Sequence, residues 1–84
     1  MYSNENKIKK IDGKIRELKE LRVSLAEDEA LLMEEFNEDP AAFYNDVVKV
    51  DTIANCLHQI EKCDEDIARL EKIKAKLIEK SIKR

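Results

Sequence analysis

The sequence predicts an all-α fold: an antiparallel, coiled-coil-like two-helix hairpin that assembles with a second copy into a four-helix bundle. Three observations lead there. Apolar residues recur at intervals of three and four along most of the chain, the spacing of one helix face. A single proline, Pro40, follows Asp39 near the midpoint and separates two such stretches. Charged residues make up 42% of the 84 positions, aromatics 5%, and there is one glycine, a balance suited to long helices rather than to sheets. The chain is read as a single domain, with one helix over about 4–36, a turn at 37–39 and a second helix over about 40–83.

The first helix follows from Ile8, Ile11, Ile15, Leu18, Leu25, Leu32 and Phe36, which share one face. With Ile8 at position a of a heptad, Gly13 falls at f, toward solvent, where it costs about 1 kcal/mol of helix propensity relative to alanine. Helix formation before Gly13 is left open. The stop comes at "FNEDPAAF". Asn37 tolerates the left-handed conformation that ends helices, Asp39 is a good N-cap, and Pro40 suits the first helical position because its missing N–H is not needed there. So short a connection makes the two helices antiparallel neighbours.

The second helix carries a clean heptad, with Ile53, Ile60, Ile67 and Lys74 at a and Cys56, Cys63, Leu70 and Leu77 at d. An earlier set, Phe43, Val47, Val50, Ala54 and Leu57, runs in a different phase. The second helix is expected to be longer, so that its last turns overhang the first. Both helices have an apolar surplus: Leu21, Val23, Ala26, Leu31 and Met33 on the first, Ile73, Ile78 and Ile82 on the second. A broad apolar arc belongs to a bundle rather than an isolated pair, which is the ground for expecting a homodimer.

The stretch "NCLHQIEKC" holds two cysteines and a histidine. Cys56 and Cys63 are seven residues apart, about 10.5 Å along a helix axis, too far for a disulfide within the helix and too far for one zinc ion to take both sulfurs. They are read as small core residues, with an intersubunit disulfide as the functional alternative. His58 falls on the opposite, solvated face. Neither a metal nor any other cofactor is expected.

Charge is segregated along the chain. Residues 1–22 carry seven Lys/Arg against four Asp/Glu, residues 23–68 two against thirteen, and residues 69–84 seven against two. Folding at Pro40 gathers the basic segments at the open end and the acidic segment at the turn. Two hairpins packed antiparallel would match basic end to acidic end and so select their orientation. Arg22 and Glu29 fall at a positions of the first seam. Either Arg22 pairs with Glu61 and Glu29 with Lys49, or a stutter moves the seam onto Leu21 and Leu25 and leaves both charges outside; the sequence leaves both open. Phe36, Phe43 and Tyr44 plug the turn end, with docking of a partner at Phe43 and Tyr44 as the alternative.

No catalytic constellation emerges: there is one histidine, no serine is near it in a hairpin, and one glycine cannot build a phosphate loop. The expectation is a non-enzymatic protein–protein interaction module, adaptor-like, regulatory or chaperone-like. Its partners are itself and an unidentified protein. The N-terminal segment lacks an apolar run and no stretch reaches the length of a membrane span, so a cytoplasmic protein is expected. The rival is a nucleic-acid-binding bundle using Lys7, Lys9, Lys10, Lys72, Lys76 and Lys80. It is disfavoured because the chain is acidic overall and these lysines are not interleaved with aromatics for stacking.

Overall fold

The computed structural model describes residues 2–82; residue 83, the expected end of the second helix, lies outside them. The described chain is all-α, in three helices: α1 Tyr2–Glu38, α2 Pro40–Asn45 and α3 Val47–Ile82. They form an elongated body of 62 × 16 × 14 Å. No helix among the described residues is long and apolar enough to cross a membrane.

α1 runs through Gly13 without interruption and begins earlier than the heptad alone suggests. No described residue has a positive φ, so the glycine is an ordinary helical residue, and a methyl group at its Cα would meet open space. The helix also outlasts its expected stop. Asn37 stays helical, the Asp39 N–H donates to the Glu35 carbonyl at 3.2 Å, and the connection shrinks from three residues to Asp39 alone. Asp39 turns the chain with φ −147° and ψ 84°, with no left-handed residue. Its carboxylate accepts the Ala42 N–H at 3.2 Å and Pro40 opens α2, the capping chemistry read from the sequence.

The second helix is broken where the sequence predicted continuity. Asp46 is extended (φ −95°, ψ 95°); its N–H donates to the Phe43 carbonyl at 3.1 Å, and its carboxylate accepts the Lys49 N–H at 3.2 Å. One aspartate thus closes α2 and caps α3. The physical reason is distance. Packed helix axes lie about 8–10 Å apart, and a single extended residue cannot both reverse the chain and cross that gap. α2 makes the crossing and carries Phe43, buried, beneath Phe36 at the end of the core. The Phe36 and Phe43 rings meet edge to face at 5.5 Å, and Phe36 meets Tyr44 in the same way at 5.5 Å.

α1 and α3 lie alongside each other in opposite directions. Asp12 meets Lys74, Lys19 meets Glu71, Arg22 meets Asp64 and Glu35 meets Lys49, so α3 numbers fall as α1 numbers rise. The register differs from the expected one. Pairing Phe36 with Phe43 and continuing along one helix would set Arg22 near Leu57 and Glu61. The segment Pro40–Asp46 is spent on the crossing, and its seven residues move α3 by one heptad. A shift of one heptad preserves the a and d faces while changing every partner. It also removes the expected overhang: counting on from the Asp12–Lys74 pair, Ile82 comes level with Asn4.

The α1 seam is an unbroken heptad. Ile15 is buried, and Ile8, Ile11, Leu18, Arg22, Leu25, Glu29, Leu32 and Phe36 are half-buried, so there is no stutter and both charges occupy a positions. On α3, Cys56 and Cys63 are buried, and Ile53, Ile60, Ile67, Leu70, Lys74 and Leu77 are half-buried. The earlier apolar phase does not form a second seam inside the pair. Val47, Ala54 and Leu57 are exposed, Val50 is half-buried, and only Phe43, which belongs to α2, is buried.

Because Gly13 is helical and unobstructed, Gly13→Ala should stabilise the fold by about 0.5–1 kcal/mol. Thermal unfolding followed by circular dichroism should show a midpoint several degrees higher, and an unchanged or lower midpoint would show that the α1 start is not helical in solution.

Candidate functional site

The described residues hold no group of three or more His, Cys, Asp or Glu side chains placed to bind a metal ion. Cys56 and Cys63 are free thiols in successive d layers of the seam, with Ile60 between them, and His58 is exposed. The features with chemical content are instead the ion pairs that flank the seam and the apolar and cationic surfaces outside it.

Arg22 is held at its a position by Asp64. The guanidinium engages both carboxylate oxygens, Nε with Oδ1 and Nη2 with Oδ2, the latter at 3.2 Å. This fork-to-fork geometry fixes direction as well as distance. The hydrogen bonds that Arg22 donates to Asp64, and then the carboxylate's charge, raise the pKa of Arg22. Lys49 similarly reaches Glu35 at 2.9 Å, and that hydrogen bond followed by the carboxylate charge raises the lysine's pKa. The partners expected from sequence, Glu61 for Arg22 and Lys49 for Glu29, are displaced by the one-heptad shift. The same shift creates two pairs the sequence did not suggest, Lys74–Asp12 at 2.6 Å and Lys19–Glu71 at 3.6 Å. All of these groups are partly exposed, and Arg22 and Lys74, at a positions, extend from the seam toward water.

These bridges also define the two sides of the rod. Lys19 and Glu71 are both at e positions, and Asp12 and Asp64 reach Lys74 and Arg22 from e positions. The e positions of the two helices therefore share one side, as antiparallel pairing requires. Glu35, at g, meets Lys49 on the other side. The six lysines singled out from the sequence are all exposed but do not form one surface. Lys7, Lys10, Lys76 and Lys80 belong to the c and g side of the open end, while Lys9 and Lys72 belong to the b, e and f side. Tyr44 is exposed beside the buried Phe43, so the turn aromatics divide into a plug and a surface ring.

Sequence reasoning missed a shallow groove on the b and e side of α1, lined by Asp12, Ile15, Arg16, Lys19, Glu20 and Val23. Of its lining, only Val23 stood among the apolar surplus read from the sequence. No known protein family matches this chain, and neither curated proteins nor solved structures give a significant match.

A double-mutant cycle should show coupling between Arg22 and Asp64 and none between Arg22 and Glu61. Coupling to Glu61 instead would restore the unshifted register. The Lys49–Glu35 pair has a defined pH signature. A lysine whose folded pKa is raised contributes stability that is complete below its unfolded value of about 10.4 and is lost as pH rises through the folded value. Lys49→Met should therefore lose less stability than the parent between neutral and strongly alkaline pH, as read from denaturant midpoints.

Proposed function

We propose that this chain is a non-enzymatic protein–protein interaction module: a helical hairpin that associates with a second copy into a four-helix bundle and presents the resulting surface to a further protein. One observation carries the reading. Among the described residues only four apolar side chains are buried, Ile15, Phe43, Cys56 and Cys63, whereas eleven large apolar ones are exposed. Isolated exposed hydrophobes are ordinary, but so thin a core with so large an apolar exterior is the balance of half a bundle. Small domains commonly complete their cores by association.

Charge supports an antiparallel arrangement. The acidic middle segment meets the basic first and last segments only when the copies run in opposite directions. The mechanism is then mutual completion: apolar burial supplies the affinity, and the segregated charges choose the orientation. A cytoplasmic adaptor or regulatory subunit fits this behaviour.

The alternative reading rests on Lys7, Lys10, Lys76 and Lys80, which share one side of the open end and are exposed. Such a patch is suited to phosphate.

Light scattering at micromolar concentration should give the mass of a dimer that weakens as salt is raised. A monomer at both low and high salt removes the self-association reading. Titration with RNA and duplex DNA should show no micromolar binding, and binding that falls steeply with salt would move the assignment to the alternative.

A further inference from the structure

Resting on the self-association proposed above, we propose that the second copy packs on the b and e side of the rod, antiparallel, with the two-fold axis lying crosswise at about the level of Ala26. α1 then stacks on the partner's α1, and α3 on its α3.

The apolar surplus is not spread evenly. On α1, Val23, Ala26, Ala30 and Met33 follow each other at b and e positions. On α3, Val47, Val50, Ala54 and Leu57 do the same, at the same end of the rod. Both runs flank the seam on the side that the Lys19–Glu71 pair defines, so they form one continuous face. Val47 is 68% exposed, Val23 57% and Leu57 49%. The opposite side has only scattered apolar groups, Leu21, Leu31, Val48 and Ile73, each separated from the next by two or more helical turns along the rod.

Area and charge decide the overlap. Protein interfaces of standard size cover about 800 Å² per partner, and a face of 62 by 16 Å offers roughly 1,000 Å². Overlap restricted to the apolar half would supply about half of that and fall short. It would also set the acidic rim of that half, Glu27, Glu34, Asp51 and Glu61, against its own copy. An axis nearer the middle of the rod restores the area and carries Glu34 and Asp51 away from their own copies, while Glu27 and Glu61, each one residue from its level, still face their counterparts. It brings Arg16 opposite the partner's Glu34 and Lys72 opposite the partner's Asp51. None of these four makes an ion pair within the chain among the described residues.

The same placement gives the apolar residues receiving sites. Met33 comes over the partner's shallow groove, between its Arg16 and Val23. The α3 run comes over the partner's Ala68 and Ala75, whose small side chains leave room. Asp64 and Glu71, which alternate with those alanines, are already neutralised by Arg22 and Lys19.

The test is the dimer dissociation constant by sedimentation equilibrium, with circular dichroism confirming retained helicity. Met33 and Leu57 are exposed, so Met33→Glu and Leu57→Glu should each keep the helical fold and weaken dimerisation on the order of tenfold or more. Leu31→Glu, on the opposite side, should leave the constant within about twofold. Arg16→Glu should weaken the dimer, and Arg16→Glu combined with Glu34→Arg should restore it. A parent chain that is monomeric at all concentrations overturns the self-association reading and this face with it. A dimer that tolerates Met33→Glu and Leu57→Glu but is lost in Leu31→Glu overturns the face and leaves self-association standing. A dimer that responds to the apolar variants but is not restored by the charge exchange overturns the antiparallel placement.

Discussion

The architecture depends on how the chain spends the seven residues from Pro40 to Asp46. Two parallel constraints meet there. The helices must be separated by their packing distance, and their apolar stripes must face each other. A crossing segment as long as one heptad satisfies both, because it moves α3 along the rod without rotating its seam. Every cross-helix pair described above follows from this, including the bidentate contact of Arg22 with Asp64. Asp46 makes it possible locally, since one carboxylate begins α3 at the point where the Phe43 carbonyl ends α2.

The core that results is narrow. Two helices can bury one stripe from each partner, and here two of the buried residues are cysteines, which add little apolar area compared with leucine. Charged residues occupy three of the a positions, Arg22, Glu29 and Lys74. Arg22 and Lys74 hold a half-buried place in the seam with their charges on partly exposed carboxylates, so these layers specify direction and register more than they add hydrophobic stability. Outside the seam, Val23, Met33, Val47 and Leu57 gather on the side where Lys19 meets Glu71. The apolar content is sufficient for a larger core than one chain can enclose.

Much of the fold was legible in the residues, because helical periodicity and capping are local properties. The spacing of Ile8 through Phe36 and of Ile53 through Leu77 defines both seams. Asp39 and Pro40 mark the start of α2 by short-range chemistry, and the separation of Cys56 from Cys63 places both in the core without reference to any partner. The break at Asp46 was not legible, although Asp is a good cap, because Val47 and Val50 continue a plausible apolar pattern across it. Register was not legible for the same reason. It depends on the length of the crossing, which is a property of two helices and the gap between them rather than of any one stretch. The expected Asn37 stop failed because Asp39 alone could reverse the chain while α1 kept its last hydrogen bonds. Of the candidate surfaces, the lysines were identified individually, but their division between two sides emerged only with the register.

The level ends of α1 and α3 have a mechanical consequence. Asn4 and Ile82 lie side by side, so tension applied through both would act across the rod at its open end. The layers would be strained in succession, beginning near the Asp12–Lys74 contact and reaching the edge-to-face rings of Phe36 and Phe43 last. Such a geometry yields by unzipping under small forces, whereas the same seam pulled from opposite ends would resist by shear, with all its layers sharing the strain.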